Sequence, residues 1–544
     1  MARAYVCAVD VGTASARAGI FDDRGQLLSR AVHPITAYQP EAGHGEYDSE
    51  EIWRAVCAAV KAARAETGLS AGAIAGIGFD ATCSLVVRGE NLSGIGISAS
   101  GGDRFDTIAW FDHRAIGEAE ECTATGHRVL DYIGGVMSPE MQTPKLLWLK
   151  RNRPESWRAA RHFFDLADYL TFRATGSTAR SQCTLTSKWT YLAHDGGWQH
   201  DFFRGLGLDD MLAQGGLPDE AIPVGAPVGT LTAKAAEDLG LTEACRVASG
   251  LIDAFAGALG VIGGRDDDRL YSQLALIAGT SSCLMGFSPS PRHLAGVWGP
   301  YFGAALPGQW LFEAGQSATG ALLDHVIRIH GGGLEPDAAT HRRLAERIAK
   351  MRADPHADLG ESLHVLPDFH GNRSPFAEPQ ARGVISGLAL DSSFDGLCRL
   401  YWRTAVAIAL GLRHILDHLA ANGSGIDTLH IAGGHTRNPL ITALYADATG
   451  LTVHQSETED AVLAGTAMAA ATACGLYANL PEACRAMQRP HRVIEPDMAA
   501  RPAYDRDYAI FLRMHEHRRE VEAMQLQLNQ PAEALSDPLQ PRDL

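Results

Sequence analysis

Residues Asp10 to Arg17, D-V-G-T-A-S-A-R, bring a carboxylate, a glycine, two hydroxyls and a guanidinium close together in the chain. The short β-branched run Val6 to Val11 leads into them, so Asp10 falls at a strand end and Gly12 in the turn beyond it. A glycine lets a ligand approach the backbone. Exposed N–H groups, the Thr13 and Ser15 hydroxyls and the Arg17 cation suit phosphate oxygens, and Asp10 suits Mg²⁺, held directly or through water. On its own, D-x-G-T marks an ordinary hairpin turn more often than a phosphate grip. The theme returns, however, in Leu274 to Phe287: an apolar strand, a Gly279-Thr280-Ser281 turn, and a second apolar strand. The two copies stand about half the chain apart, which predicts two related halves gripping a phosphate chain from both sides of a cleft. They differ usefully, because Ile277 stands where the first copy has Asp10.

A third element, Leu429 to Pro439 (LHIAGGHTRNP), predicts a strand, a Gly433-Gly434 turn and a helix start. Such a turn lets an adenine and ribose lie against the main chain, with Asn438 supplying an amide. Other nucleotide sites are excluded. The chain has no Gly-Lys pair and hence no P-loop, and GIGFDA and GIGISA each lack the last glycine of a dinucleotide fingerprint.

The elements that must carry these turns read as mixed α/β. Strand-like hairpins continue through Arg17 to Phe21 and LLSRAV; SEEIWRAVCAAVKAARAE has helical periodicity with Ser49 as its N-cap; AIAGIGFDA is an apolar strand. With 544 residues, 46% hydrophobic, two large domains are expected. The boundaries fall at 1–248 and 249–500, with 501–544 a charged helix followed by a disordered tail, QPAEALSDPLQPRDL.

Forty-seven basic against 64 acidic side chains give a net charge of -17, so no basic field exists for nucleic acid or an anionic membrane. The ten cysteines are scattered without a C-x-x-C pair and read as reduced, buried thiols. MARAYVCAVDVG runs into a strand without a leader pattern, and no apolar run reaches the length of a membrane span. A cytoplasmic protein with no membrane partner is expected.

The order DVGTASAR, GFDATC, PKLLWL, GLIDAFAG, IAGTSSC, FEAGQS, RGVISGL and AGGHTRNP resembles the FGGY carbohydrate kinases over residues from about 5 to 500. GFDATCSLVV, YIGGVMSPEMQ, FFDLADYL, KWTY, GVWGPYF and PDFHGNRSP resemble more narrowly the D-ribulokinase-type pentulose kinases of that family. The resemblance implies two actin-like, ribonuclease-H-like domains closing on Mg²⁺-ATP and a sugar, in a homodimer. It implies phosphorylation of the terminal hydroxyl of a ketopentose, D-ribulose first, with L-ribulose, xylulose or a pentitol as alternatives. Asp253, in GLIDAFAG, matches the catalytic aspartate and would also face the metal held by Asp10. Asp80, Ala81, Lys188 and Glu313 match sugar contacts, and Gly315, in FEAGQS, lies with the nucleotide residues. Phe255 departs from the histidine common in relatives, and PKLLWLK around Lys145 and RGVISGLALDSS fit their signatures loosely. Two other classes are weighed. An actin- or chaperone-like ATPase needs a polymer interface or an appended peptide-binding domain, for which the stretch after residue 500 is expected to be too short. A silent sugar-binding regulator would be expected to lose Asp10 or Asp253, both of which are present.

Overall fold

The computed structural model describes residues 4–98, 104–265, 267–458 and 460–528. Apolar alternation carries Tyr5–Val11 and Ser15–Phe21 into an antiparallel hairpin with Asp10 opposite Arg17, and Leu27–Pro34 extends it. On its other side Tyr5–Val11 runs parallel to Ile74–Ala81, which in turn pairs in parallel with Arg246–Ala248 and Leu251–Ile252. Pro227–Thr230 closes the seven-stranded sheet antiparallel.

The second sheet, also of seven strands, repeats this succession of senses. Gln273–Ala278 and Ser282–Ser288 form its hairpin, Trp310–Gln316 extends it, and Thr428–Ala432 and Thr452–Ser456 add parallel strands. His491–Ile494 closes one edge antiparallel and Trp298–Phe302 extends the other. The duplication expected from the two Gly-Thr turns is therefore present at the level of whole sheets. The second turn is the tighter one: the Gly12 N–H bonds the Ser15 carbonyl at 3.0 Å, whereas the Gly279 N–H bonds that of Ser281 at 2.8 Å.

Two helices lie between the sheets. Asp253–Ile262 follows Leu251–Ile252 directly, and Ala461–Ala473 returns from the second half to pack on Tyr5–Val11 and Ile74–Ala81. They cross backbone to backbone. A β-carbon on Gly465 would stand 1.8 Å from the Ala256 carbonyl oxygen, and one on Gly260 2.1 Å from that of Ala461. Main chain has no rotamer with which to give way, so Gly465→Ala is expected to cost about 3 kcal/mol, read as a lowered melting temperature. Ile277, the counterpart of Asp10, reaches this joint, where its Cδ1 would lie 2.8 Å from a β-carbon on Gly257. An apolar contact thus explains why the second copy has no carboxylate.

Two sequence expectations change. Asp48, not Ser49, caps helix Ser49–Thr67, accepting from the Glu50 and Glu51 N–H groups at 2.9 and 3.2 Å, while the Ser49 hydroxyl donates to Asp106 at 2.7 Å. Helix Phe394–Ala421 is long and apolar enough to cross a membrane by length and composition. Arginines interrupt its run in the sequence, which concealed it. Most of its apolar stretch is buried inside the protein, and Arg403 within it pairs with Asp507 at 2.7 Å, so it serves as the core helix of the second half. The C-terminal helix spans Arg501–Leu528, and the tail expected at 530–544 lies outside the described residues.

Candidate active site

Three parallel strands end together at one edge of the first sheet, and register puts Asp10 beside Asp80 and Leu251 on the other side of Asp80. Asp253 opens its helix immediately after Ile252. Chains diverge at such carboxyl ends and leave a crevice, which is where ligands of open α/β sheets sit.

Burial dominates these acids. It pushes Asp10 up to about 7, with Arg17 opposing and the charges of Asp460 and Asp253 adding to the rise. Asp80 rises well above the carboxylate range through burial and then through the charge of Asp10, and Asp253 rises through burial against the Ala254 N–H and Lys188. Arg17 is ion-paired to Asp10 and reaches Asp460 at 3.5 Å. Arg17 occupies Asp10 Oδ2; Asp10 Oδ1 and Asp80 Oδ1 lack a hydrogen-bond partner, while Asp80 Oδ2 accepts from the Thr466 hydroxyl at 2.5 Å.

This surplus of buried, unsatisfied carboxylate oxygen fits a divalent cation, which would fill the lone pairs and reverse the shifts. Among the described residues, no group of three or more acids, histidines or cysteines could hold a metal by itself. Mg²⁺ keeps several waters and takes one or two carboxylates along with substrate phosphates, and Asp10 Oδ1 and Asp80 Oδ1 are the carboxylate oxygens open to it.

At the other end of the crevice Lys188 and Glu313 pair at 3.1 Å, only 3% and 4% exposed. Lys188 ends helix Gln182–Lys188 in the first half and Glu313 belongs to Trp310–Gln316 in the second, so the ion pair joins the two halves. Burial alone would lower Lys188; the Glu313 charge, joined by those of Cys83, Tyr301 and Glu140, outweighs it and holds the ammonium above its ordinary value. The Lys188 nitrogen lies 4.5 Å over the Trp298 ring and 5.8 Å over that of Phe255. Phe255 is fully buried and packs against Tyr301, so the departure from histidine changes the floor beneath the lysine. Glu313→Gln would leave a buried cation unpaired. We expect it to lose about 3–5 kcal/mol of stability in thermal unfolding and to raise the sugar KM while leaving that for ATP unchanged.

The Gly279–Ser281 turn is partly open and is backed by the start of helix Gly320–His330: Thr319 N–H bonds the Thr280 carbonyl at 3.0 Å and Gly320 N–H that of Gly279 at 3.0 Å. Gly433 is exposed, with φ 97°, and a β-carbon there would meet the Ala278 oxygen at 2.4 Å, so the Gly433–Gly434 turn packs on the strand end that leads into the Gly279–Ser281 turn. Gly434 is exposed beside it. Asn438 caps helix Pro439–Thr449, accepting from the Leu440 N–H at 3.1 Å, which leaves its amide N–H₂ for a ligand. In the first turn the Thr13 hydroxyl accepts from the Trp110 indole at 3.0 Å, and Lys145 Nζ donates to the Ala109 carbonyl at 3.0 Å, bracing the segment that carries that indole.

Two assignments shift. Gly315 is buried, and a β-carbon on it would lie 2.3 Å from the Ser282 oxygen, so it supports the hairpin instead of lining it. Ala81 is fully buried, backbone and methyl alike, and backs the strand end beside Asp80. The leading charges acting on Asp80 are those of Asp10, Asp253 and Arg17. Residues missed in the sequence are Asp460 and Thr466, which come to the first sheet from the returning helix, and Glu140 and Arg373, paired across the halves at 3.2 Å beside Trp298. MSPEMQ and PDFHGNRSP, two of the stretches that carry the family resemblance, contain the last two.

The family models for the FGGY carbohydrate kinases match this chain at residues 5–260 for the N-terminal domain and 274–474 for the C-terminal domain. The chain belongs to the FGGY family of carbohydrate kinases. Among FGGY relatives it is 43% identical over 540 residues to the human FGGY carbohydrate kinase domain-containing protein, covering 96% of this chain and 98% of that one. It is 36% identical over 516 residues to a D-ribulokinase of Saccharomyces cerevisiae, covering 87% of this chain and 72% of the relative. A xylulose kinase from Rhodospirillum rubrum shares the fold, with a TM-score of 0.75 at 22% identity, covering 94% of this chain and 98% of that one. The FGGY kinase fold is that of two actin-like domains, and the chain is a phosphotransferase acting on a sugar.

Proposed function

We propose that the chain transfers the γ-phosphoryl group of ATP to the terminal hydroxyl of a ketopentose, D-ribulose before L-ribulose, xylulose or a pentitol. The observation that carries this reading is Asp253 standing between two unlike neighbourhoods, a cluster of buried acids on one side and the Lys188–Glu313 pair on the other. Recognition of a polyol needs donors and acceptors together, because every buried hydroxyl requires a partner, and Lys188 and Glu313 offer one of each.

Asp10, with Asp253 facing it, would hold magnesium, which would supply neutralisation of the phosphate charge. Asp253 would accept the proton of the attacking hydroxyl as its oxygen bonds the γ-phosphorus and the bond to ADP breaks. The Gly12–Ser15 and Gly279–Ser281 turns, with Arg17, would hold phosphate oxygens, and the turn at Gly433 and Gly434 with Asn438 the nucleoside. Lys188 and Glu313 would fix the sugar, and closure around it would exclude water from the phosphoryl group. The resemblance further implies a cytoplasmic homodimer.

The test is ADP release in a coupled assay over a panel of pentuloses and pentitols. D-ribulose is expected to give the highest kcat/KM. A different best sugar would replace the substrate named here, and no sugar raising ADP release above the sugar-free rate would overturn the ketopentose reading.

A further inference from the structure

Strands His364–Leu366 and Val384–Ser386 pair antiparallel and project the loop between them, residues 367–383. Reciprocal backbone bonds between Asn372 and Glu378, at 2.9 and 2.8 Å, close its tip into a small ring that contains Arg373. From this ring Arg373 reaches the first half, where both Glu140 oxygens accept from its Nη2 at 3.2 and 3.3 Å, and its guanidinium lies 5.0 Å over the Trp298 ring. Trp298 also underlies Lys188. The tip therefore abuts the Lys188–Glu313 pair and crosses the cleft beside it.

The base of the ring is held from the opposite side. Glu378 accepts from Arg518 at 2.5 Å and from Arg519 at 2.7 Å, and the Arg519 guanidinium lies 3.8 Å over the Phe376 ring. Asp368, which accepts from Asn372 at 3.0 Å, lies 3.6 Å from His515 and 4.0 Å from Arg518. His515, Arg518 and Arg519 all belong to helix Arg501–Leu528, which lies beyond the matched C-terminal family segment. Arg518 is 3% exposed although it touches none of the groups assigned to phosphoryl transfer. A buried guanidinium is retained at a desolvation cost, and a pair such as Glu140–Arg373 repays its own cost only when its geometry is held.

We propose that the C-terminal helix is a buttress for the sugar end of the cleft, with Arg518 and Arg519 as positioning residues that hold the 372–378 ring so that Arg373 meets Glu140 and closes the halves over the acceptor. This rests on the sugar-kinase reading.

The test compares Arg518→Ala, the more exposed Arg519→Ala, Arg373→Ala and the double variant Arg373→Ala/Arg519→Ala with the full-length protein, using whichever sugar it turns over fastest. Arg413→Ala is the control, since it breaks the Arg413–Asp505 contact of the same helix, at 2.7 Å, away from the loop. Each of the first three is expected to raise the sugar KM about tenfold with the ATP KM little changed, and the double variant to be no worse than Arg373→Ala alone. Arg413→Ala is expected to lower the melting temperature without moving the sugar KM. Hydrogen exchange in the sugar-free protein supplies a readout independent of substrate, in which Arg519→Ala should speed exchange at both 136–142 and 367–379. An unchanged sugar KM in Arg519→Ala, multiplying effects in the double variant, the same KM rise in Arg413→Ala, or unchanged exchange at 136–142 would each overturn the proposal. Failure to phosphorylate any sugar would instead count against the proposed function, with the exchange experiment still deciding on the buttress.

Discussion

Asp253→Asn is expected to lower kcat by about two orders of magnitude or more while leaving the fold and ATP affinity in place. The substitution separates two jobs of one side chain. Asp253 Oδ1 accepts from the Ala254 N–H at 2.7 Å at the first turn of its helix, and an asparagine oxygen preserves that bond. What the amide cannot do is take up a proton. Burial raises Asp253 above the ordinary carboxylate value, so in the parent enzyme kcat should climb with pH across a window displaced upward from that value, as the base ionises. The variant should lose that limb of the profile. Single-turnover phosphoryl transfer measured from pH 5 to 8 checks both statements, and unchanged turnover would remove Asp253 from the role of base.

The second large effect has opposite signs in activity and stability. Asp10 is pushed up to about 7 from 3.8, so between those values the folded protein holds a proton that the unfolded chain has released. Stability therefore falls as pH rises through that window and stays low above it. Asp10→Asn removes the loss. Without metal or nucleotide, its melting temperature should exceed that of the parent at pH 8, and the difference should shrink toward pH 5. The freed Arg17 retains Asp460 at 3.5 Å as a partner. Activity should fall by at least about tenfold, because a developing charge on the phosphates loses part of its stabilisation. Thermal melts with and without Mg²⁺-ATP make the comparison: the nucleotide should raise the parent's melting temperature more than the variant's. Equal melting temperatures at pH 8 would contradict the reading of the buried acids.

The chemistry written in contiguous residues was readable in advance. A strand, a Gly-Thr turn and a strand occupy consecutive positions, so their repetition at Gly12 and Gly279 announced both hairpins and the halves that carry them. Distant pairings leave no such trace. Thr466 reaches Asp80 across most of the chain, and Asp460 reaches Arg17 in the same way. Neither acid nor hydroxyl has an unusual local setting to mark it. Sequence points to Ser49 as the cap, but its neighbour Asp48 is of an equally good capping type, and only the demand of Asp106 for the serine hydroxyl separates them. A motif places Gly315 and Ala81 at a strand end but does not say which face is packed against neighbouring backbone, and burial there is set by pairing with strands distant in sequence. Helix Phe394–Ala421 escaped notice for a related reason, since arginines that find partners in the folded protein look like interruptions in the sequence.

The crossing of Asp253–Ile262 with Ala461–Ala473 bears on how such an enzyme diverges. At Gly260 and Gly465 the contact is main chain on main chain, so selection there acts on backbone shape and tolerates almost no drift, whatever the acceptor. The 367–383 loop and the segment around Glu140 meet through side chains, and side chains can be exchanged in pairs. Lineages that take up new acceptors should therefore accumulate coordinated changes at the rim of the cleft while the joint behind Asp253 stays fixed, and a history of substrate change would be written far from the base that performs the transfer.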